Sequence, residues 1–217
     1  MPDIRNIAGC ILAGGLSRRM GGRDKPLIPL GDRPMIARVS ERLSPQVSCL
    51  IVNANGDPLR YSNLGLPVVP DRIEGYAGPL AGVSAGLAWC AENRPEVSHL
   101  ATAAADTPFF PTDLVRRLAQ KAGADTIVLA ASGGHHHPVF GLWPITLRED
   151  LDQWMKETDH FKVMSWVRRH DWQTVDFEFL QRGGRMVDPF FNANTPEELA
   201  DAEALLPTGI GSAGEAI

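Results

Sequence analysis

Short apolar runs, each closed by glycine or polar residues, recur along the chain: Ile7–Ala13, Cys49–Val52, Val68–Val69, Leu100–Ala105, Thr126–Ala131 and Val139–Trp143. Runs that are apolar at successive positions, not at alternate ones, mark strands covered on both faces. Between them the period changes to that of a helix. Pro34–Leu43 carries Ile36, Val39 and Leu43 on one side, and Pro79–Glu92 carries Leu80, Val83, Leu87 and Cys90. Pro111–Ala122 repeats the device with Leu114 and Leu118. Each opens on proline, whose fixed φ and missing N–H suit a first helical turn. Thr146–His170, with Trp154, Met155, Phe161, Val163, Met164, Trp166 and Val167, predicts more helix laid over the sheet. Thr195, Pro196 and Glu198 spell an N-cap, a first-turn proline and a capping box.

Strands alternating with helices predict an α/β protein of three layers, with a mostly parallel sheet and helices on both faces. No stretch has the composition of a linker, so one domain is expected over residues 1–206. The last residues, 207–217 ("PTGIGSAGEAI"), show no periodicity and are expected to fray. Ligands of such sheets lie outside the carboxyl ends of the strands. The residues that follow each strand are therefore the first candidates for chemistry.

Composition adds exclusions. The 217 residues carry a formal net charge of -5, which gives no basic surplus for nucleic-acid binding. Cys10, Cys49 and Cys90 sit in apolar surroundings without metal-ligand spacing, as reduced thiols of a cytoplasmic protein do. "MPDIRNIAGC" has an acidic residue and too short an apolar run for a signal peptide, and no stretch reaches the length of a membrane span.

The densest chemistry is "LAGGLSRRMGGRDKP", Leu12 to Pro26, directly after the first strand. It lacks the glycine spacing of a dinucleotide fingerprint, and Lys25 is followed by proline where a Walker loop has Ser or Thr. Pro26 and Pro29 preclude a long helix starting at Lys25, so a helix dipole is not the anion holder. Backbone N–H groups freed by glycine, with Arg18, Arg19, Arg23 and Lys25, suit a polyphosphate. Asp106 in "AAADTPFF", Asn53 and Asp71 each follow a strand; taken alone, each reads as a turn or cap residue before it reads as a ligand contact. "GPLAG" (Gly78–Gly82) opens a helix whose Gly82, Ser84, Ala85 and Gly86 would let it lie close on the sheet. The histidines of "GGHHHPVF" cannot share one ion from an extended segment, where side chains alternate.

The loop, together with "VNAN" (Val52–Asn55), "PD" (Pro70–Asp71), "GPLAG", "ADTPF" (Ala105–Phe109), "HPVF" (His137–Phe140) and "NANTPEEL" (Asn192–Leu199), resembles the molybdenum cofactor nucleotidyltransferases. The pieces stand in family order to about Leu205. The resemblance implies a Rossmann-like nucleotidyltransferase fold and transfer of GMP from Mg²⁺–GTP to molybdopterin cofactor, with release of pyrophosphate. It implies that Leu12, Ala13, Gly14, Gly15, Asn53, Asp71, Gly78 and Pro79 meet GTP, and that Arg19 and Lys25 hold its phosphates. Asp106 becomes the Mg²⁺ ligand, and Arg19, Lys25 and Asp106 the catalytic set. Asn192 and Asn194 are placed near phosphate or metal, and His137 near the acceptor. "LAGG", where cytidylyl relatives read L-A-A-G, points to GTP. Lys162, Arg168, Arg169 and Arg182 are candidate holders of an anionic pterin. Molybdoenzyme apo-proteins or chaperones are the implied partners. "ATAAAD" is less polar than the run the family carries before this aspartate. Cytidylyl and sugar-phosphate nucleotidyltransfer remain open at this point, as does a non-catalytic nucleotide-binding adapter.

Overall fold

The computed structural model describes residues 2–14, 24–73, 78–158, 161–182 and 184–206. Arg18, Arg19, Arg23, Gly15 and the 207–217 tail lie outside the described residues. In chain order the elements are β1 (Ile7–Leu12), β2 (Pro29–Leu30), β3 (Arg33–Pro34), α1 (Met35–Leu43), β4 (Cys49–Asn53), β5 (Val68–Val69) and α2 (Pro79–Asn93). They continue with β6 (His99–Ala104), α3 (Leu114–Ala119), β7 (Ile127–Ser132), β8 (His135–Pro144), α4 (Arg148–Glu157), α5 (Val163–Val167), β9 (Trp172–Asp176), β10 (Leu180–Arg182), β11 (Arg185–Val187) and α6 (Pro196–Ala204).

A seven-stranded sheet runs β5-β4-β1-β6-β8-β7-β9. Every pairing is parallel except the two made by β8. Parallel order follows from the helical crossovers, which return the chain to the same edge. β8 differs because Gly133 and Gly134, at φ 53° and 80°, turn the chain straight back from β7 as a hairpin.

β1 shows how the sequence makes three layers. Its six residues are all buried, and the two sides of the pleat enter different cores. Ile7 and Ile11 join Ile36, Val39 and Leu43 of α1 and Leu114, Val115 and Leu118 of α3. Ala8, Cys10 and Leu12 join Leu80, Val83 and Leu87 of α2, Leu151 and Trp154 of α4, and Trp166 of α5. The helices thus cover both faces, as the alternating pattern predicts. Gly82 and Gly86 bring α2 close: a Cβ at 82 would overlap Asn53 Oδ1, and one at 86 would stand 2.7 Å from Leu100 Cδ2. A third, smaller core of Ile28, Leu30, Met35, Phe109, Ala193 and Ala202 seats α6 beside the β2–β3 hairpin.

Several boundaries differ from expectation. Pro34 caps α1 without entering it. The helix expected from Pro111 shortens to Leu114–Ala119, because Asp113 (φ -114°, ψ 17°) still belongs to a turn. The strand expected at Val139–Trp143 extends back to His135. β9 and the β10–β11 hairpin have no counterpart in the sequence reading. β9 is an edge strand, paired only with β7, and alternates between exposed and covered positions, so it lacks the continuous apolar run that marks the inner strands.

Candidate active site

The site is set by strand register. Leu12 aligns with Asn53 on β4 and with Ala104 on β6, so three parallel strands end in one row. Just past that row, Ala13 N donates to Asn53 O (2.9 Å) and Ala105 N to Leu12 O (3.1 Å). The chain then leaves the sheet at Gly14 and Asp106 side by side. A cavity of about 190 Å³ opens there, lined on its β1 and β4 side by Leu12, Gly14, Asn53, Asn55 and Asp71. Gly78, Pro79, Ala104, Asp106, Val139 and Asn192 close it. Gly78 takes φ 63° as it enters α2, a conformation open to glycine at no cost, and Pro79 is the first helical residue.

At the β1–β6 end, Lys25 begins a single 3-10 turn, Lys25–Leu27, with Pro26 buried beneath it. No long helix starts at Lys25, as Pro26 and Pro29 require. Lys25 Nζ donates to Asp106 Oδ2 (2.5 Å), Asn192 Oδ1 (2.8 Å) and Asn194 Oδ1 (2.7 Å). The lysine and aspartate side chains are only 13% and 21% exposed. The two asparagines are carried by the segment before α6. Thr195 and Glu198 cap that helix reciprocally, and Glu198 Oε2 also accepts from Asn194 N (2.7 Å). Ala193 N donates to Asp106 O (3.4 Å), tying this segment to β6.

At the β4–β5 end, both carboxylate oxygens of Asp71 are engaged by amides. Asn53 Nδ2 donates to Oδ1 (2.8 Å) and Asn55 Nδ2 to Oδ2 (2.7 Å), while Asp71 N donates back to Asn55 Oδ1 (2.9 Å). Asn55 is in turn held by Arg60 Nη2 on its carbonyl (2.6 Å). Arg60 also pairs with Asp24, the residue before Lys25. One guanidinium therefore ties the two ends of the cavity. Tyr61 O–H also points to Asp24 (3.4 Å); burial pushes this phenol up to about 12, with the Asp24 charge adding to it.

His137 stands apart from the cavity lining. Ser132 Oγ donates to Asp188 Oδ1 (2.8 Å) and lies 2.6 Å from His137 Nε2. A hydroxyl has one proton, so with that proton on Asp188 the histidine is the donor, and the neutral ring carries its hydrogen on Nε2. This arrangement is a clasp and not a nucleophilic triad, because Asp188 bonds the serine and not the far ring nitrogen. Burial holds the His137 pKa below the usual histidine value, against the pull of Asp188. Phe190 stacks on its ring at 4.4 Å, so the clasp anchors the turn that leads to Asn192. His136 faces Trp172 instead.

Leu12, Gly14, Asn53, Asp71, Gly78, Pro79, Asp106 and Asn192 thus line one cavity, and Lys25 and Asn194 join it through Asp106 and Asn192. Ala13 packs beneath in the core. Lys162, Arg168 and Arg169 are exposed around α5, and Phe161 O lies 3.9 Å from where a Gly78 Cβ would stand. Asn55, Arg60, Ser132 and Asp188 are additions from the structure. Asn55 lies within "VNAN", whereas Arg60 sits on a 3-10 segment with no motif.

Fold and cavity define an α/β protein whose cavity lies at the carboxyl edge of a mostly parallel sheet, between a lysine–aspartate pair and an amide-held carboxylate. The chain belongs to the MobA-like NTP transferase family, whose domain model matches residues 9–174. It is 50% identical over 201 residues to a molybdenum cofactor guanylyltransferase of Bradyrhizobium sp. (strain ORS 278), covering 92% of each chain. It is 47% identical over 204 residues to a molybdenum cofactor guanylyltransferase of Mesorhizobium japonicum, covering 93% of this chain and 97% of the relative. Among solved structures, molybdopterin-guanine dinucleotide biosynthesis protein A of Archaeoglobus fulgidus superposes with TM-score 0.67 at 21% identity. That match covers 90% of this chain and 96% of the other. A manganese complex of a Mycobacterium tuberculosis protein superposes with TM-score 0.62 at 16% identity, over 93% and 100% of the two chains. These two structures show a shared fold.

Proposed function

We propose that this chain is a guanylyltransferase that moves GMP from Mg²⁺–GTP to molybdopterin cofactor. The observation that carries the reading is the cavity at the ends of β4, β1 and β6. It gathers Gly14, Asn53, Asp71, Gly78 and Asp106 in a chain that is 50% identical to a molybdenum cofactor guanylyltransferase.

The described residues suit a hard divalent cation. The carboxylate of Asp106 and the amide oxygens of Asn192 and Asn194 all lie within 2.8 Å of one cationic nitrogen. Magnesium prefers such oxygens, one or two carboxylates being completed by phosphate and water. Asp106 would hold the ion, with the asparagines beside it. Bound there, a divalent cation draws charge from the phosphate oxygens.

The chain's own groups supply the rest. Lys25, with Arg19 from the loop, binds the β- and γ-phosphates and stabilises the charge that grows as pyrophosphate leaves. The Asp71 carboxylate, fixed by Asn53 and Asn55, faces the nucleoside and accepts from ring or ribose donors. The terminal phosphate of the pterin has a second pKa of about 6, so at neutral pH it is largely a dianion and needs no general base. One of its oxygens forms a bond to the α-phosphorus as the bond from that phosphorus to the β-bridging oxygen breaks. Positioning and charge do the catalysis.

The test supplies purified protein and Mg²⁺ with molybdopterin cofactor and either GTP or CTP, and follows dinucleotide formation. Guanine dinucleotide alone is expected. Product from CTP would overturn the base assignment, and product from neither would overturn the transfer reaction.

A further inference from the structure

Asp106, Asn192 and Asn194 aim three oxygens at one point, and Lys25 Nζ stands at that point (2.5, 2.8 and 2.7 Å). An ammonium has three N–H donors, and among the described residues these three oxygens accept from it. The same oxygens are the hard donor set that suits a divalent cation. Each oxygen keeps a second lone pair, but Nζ fills the point on which the three converge, and two cations in one cluster repel.

We infer that Lys25 acts as a resident cation in the metal position, so that the divalent ion enters with the nucleotide and not before it. This rests on the proposed role of Asp106. The backbone at Lys25 is fixed by its turn: Leu27 N donates to Asp24 O (2.9 Å), Ile28 N to Lys25 O (3.1 Å), and Pro26 is buried. Exchange is therefore a motion of the lysine stem, whose four carbons carry a compact charge through several rotamers. A triphosphate in the cavity gives the ammonium a second set of anionic acceptors and gives the ion its remaining ligands. Without it, no phosphate offsets the cost of taking Lys25 from these three oxygens. The device keeps Asp106 neutralised and the two asparagines aligned while the site awaits substrate. Linkage makes the effect reciprocal: nucleotide tightens metal binding, and metal tightens nucleotide binding by the same factor.

The experiment titrates Mn²⁺ onto the protein and reads the free aqueous ion by electron paramagnetic resonance, so no turnover is needed. Nucleotide-free wild type is compared with Lys25→Met and Lys25→Gln, each checked for folding by circular dichroism. The charge-free variants are expected to bind one Mn²⁺ about tenfold more tightly than wild type, within the usual range of site coupling. Adding an α,β-methylene GTP analogue to wild type is expected to remove more free Mn²⁺ than the analogue and the protein do separately, a comparison that needs no variant. Equal affinity in wild type and both variants, with no gain from the analogue, would overturn the competition. Asp106→Asn in the Lys25→Met background separates the two ideas. Loss of Mn²⁺ binding there keeps Asp106 as the ligand whatever Lys25 does, whereas undiminished binding would overturn the metal assignment on which both rest.

Discussion

Gly82→Ala gives the account a sharp test, because helix propensity and local packing pull in opposite directions. Gly82 lies inside α2, where alanine is ordinarily favoured over glycine by about 1 kcal/mol. Here, however, the new Cβ would overlap Asn53 Oδ1 and stand 2.7 Å from Leu12 Cδ2. Asn53 is 2% exposed and its Nδ2 serves both Val69 O (3.2 Å) and Asp71 Oδ1 (2.8 Å), so it has little room to turn. Overpacking a filled interior costs about 1–3 kcal/mol, and loss of a hydrogen bond costs about 1 kcal/mol more. Subtracting the propensity gain leaves a destabilisation of about 1–3 kcal/mol. For a chain of this size, that lowers Tm by roughly 2–12 °C.

A thermal melt reads the stability, and GTP titration reads the site, since Asn53 and Asp71 move together. Gly86→Ala is the matched control. Its Cβ would meet Leu100 Cδ2 at 2.7 Å, on the same helix but against a core side chain away from the cavity lining. Both variants should melt earlier, and only Gly82→Ala should also weaken GTP binding. An unchanged or raised Tm for Gly82→Ala, with GTP affinity intact, would refute the close approach of α2 to Asn53.

Further outcomes follow from the same contacts. Asn55→Ala and Arg60→Ala should each raise KM for GTP severalfold with a smaller change in kcat, and the double variant should show less than the sum, because Arg60 acts partly through Asn55 (2.6 Å); strict additivity would break that link. Asp106→Asn should lower kcat by about 100-fold or more while leaving Tm within a few degrees, as expected when a charge acts on the reaction more than on the fold. Thr195→Ala removes half of the capping box and should cost about 1 kcal/mol, read by denaturant unfolding. Burial lowers the pKa values of His99 and His137 below the ordinary histidine value of 6.5. Below that value the unfolded chain takes up protons that the folded chain refuses, so stability is complete above about pH 7 and falls on acidification. Tm should drop between pH 7.5 and 5.5, and less so in His99→Gln; a Tm that rises on acidification would reverse the sign.

What could be read from the sequence tracks burial. β1, β4 and β6 carry apolar runs because helices cover both sides, and their ends bring Gly14, Asn53 and Asp106 to one cavity at the carboxyl edge of the sheet. α2 was legible for the same reason, its small residues explained by Gly82 and Gly86 against the sheet. β9 was not, since an edge strand needs only one covered side and Trp172-Gln173-Thr174 shows no run. In the site, residues immediately after strands were legible, whereas Asn55 acts two positions further on and Arg60 reaches it from a segment without a pattern. Ser132 and Asp188 are 56 residues apart and meet only through the fold. His137 is visible as a motif but its contacts show a clasp, a role that no spacing encodes.

The most direct test of the central claim follows the label in two parallel reactions of the purified protein with Mg²⁺ and molybdopterin cofactor. One receives GTP labelled at the α-phosphorus and the other GTP labelled at the γ-phosphorus. The account predicts α-label in a guanine–pterin dinucleotide, matched mole for mole by γ-label in pyrophosphate. Release of γ-label as inorganic phosphate, or α-label recovered only as free GMP or unreacted GTP, would contradict it.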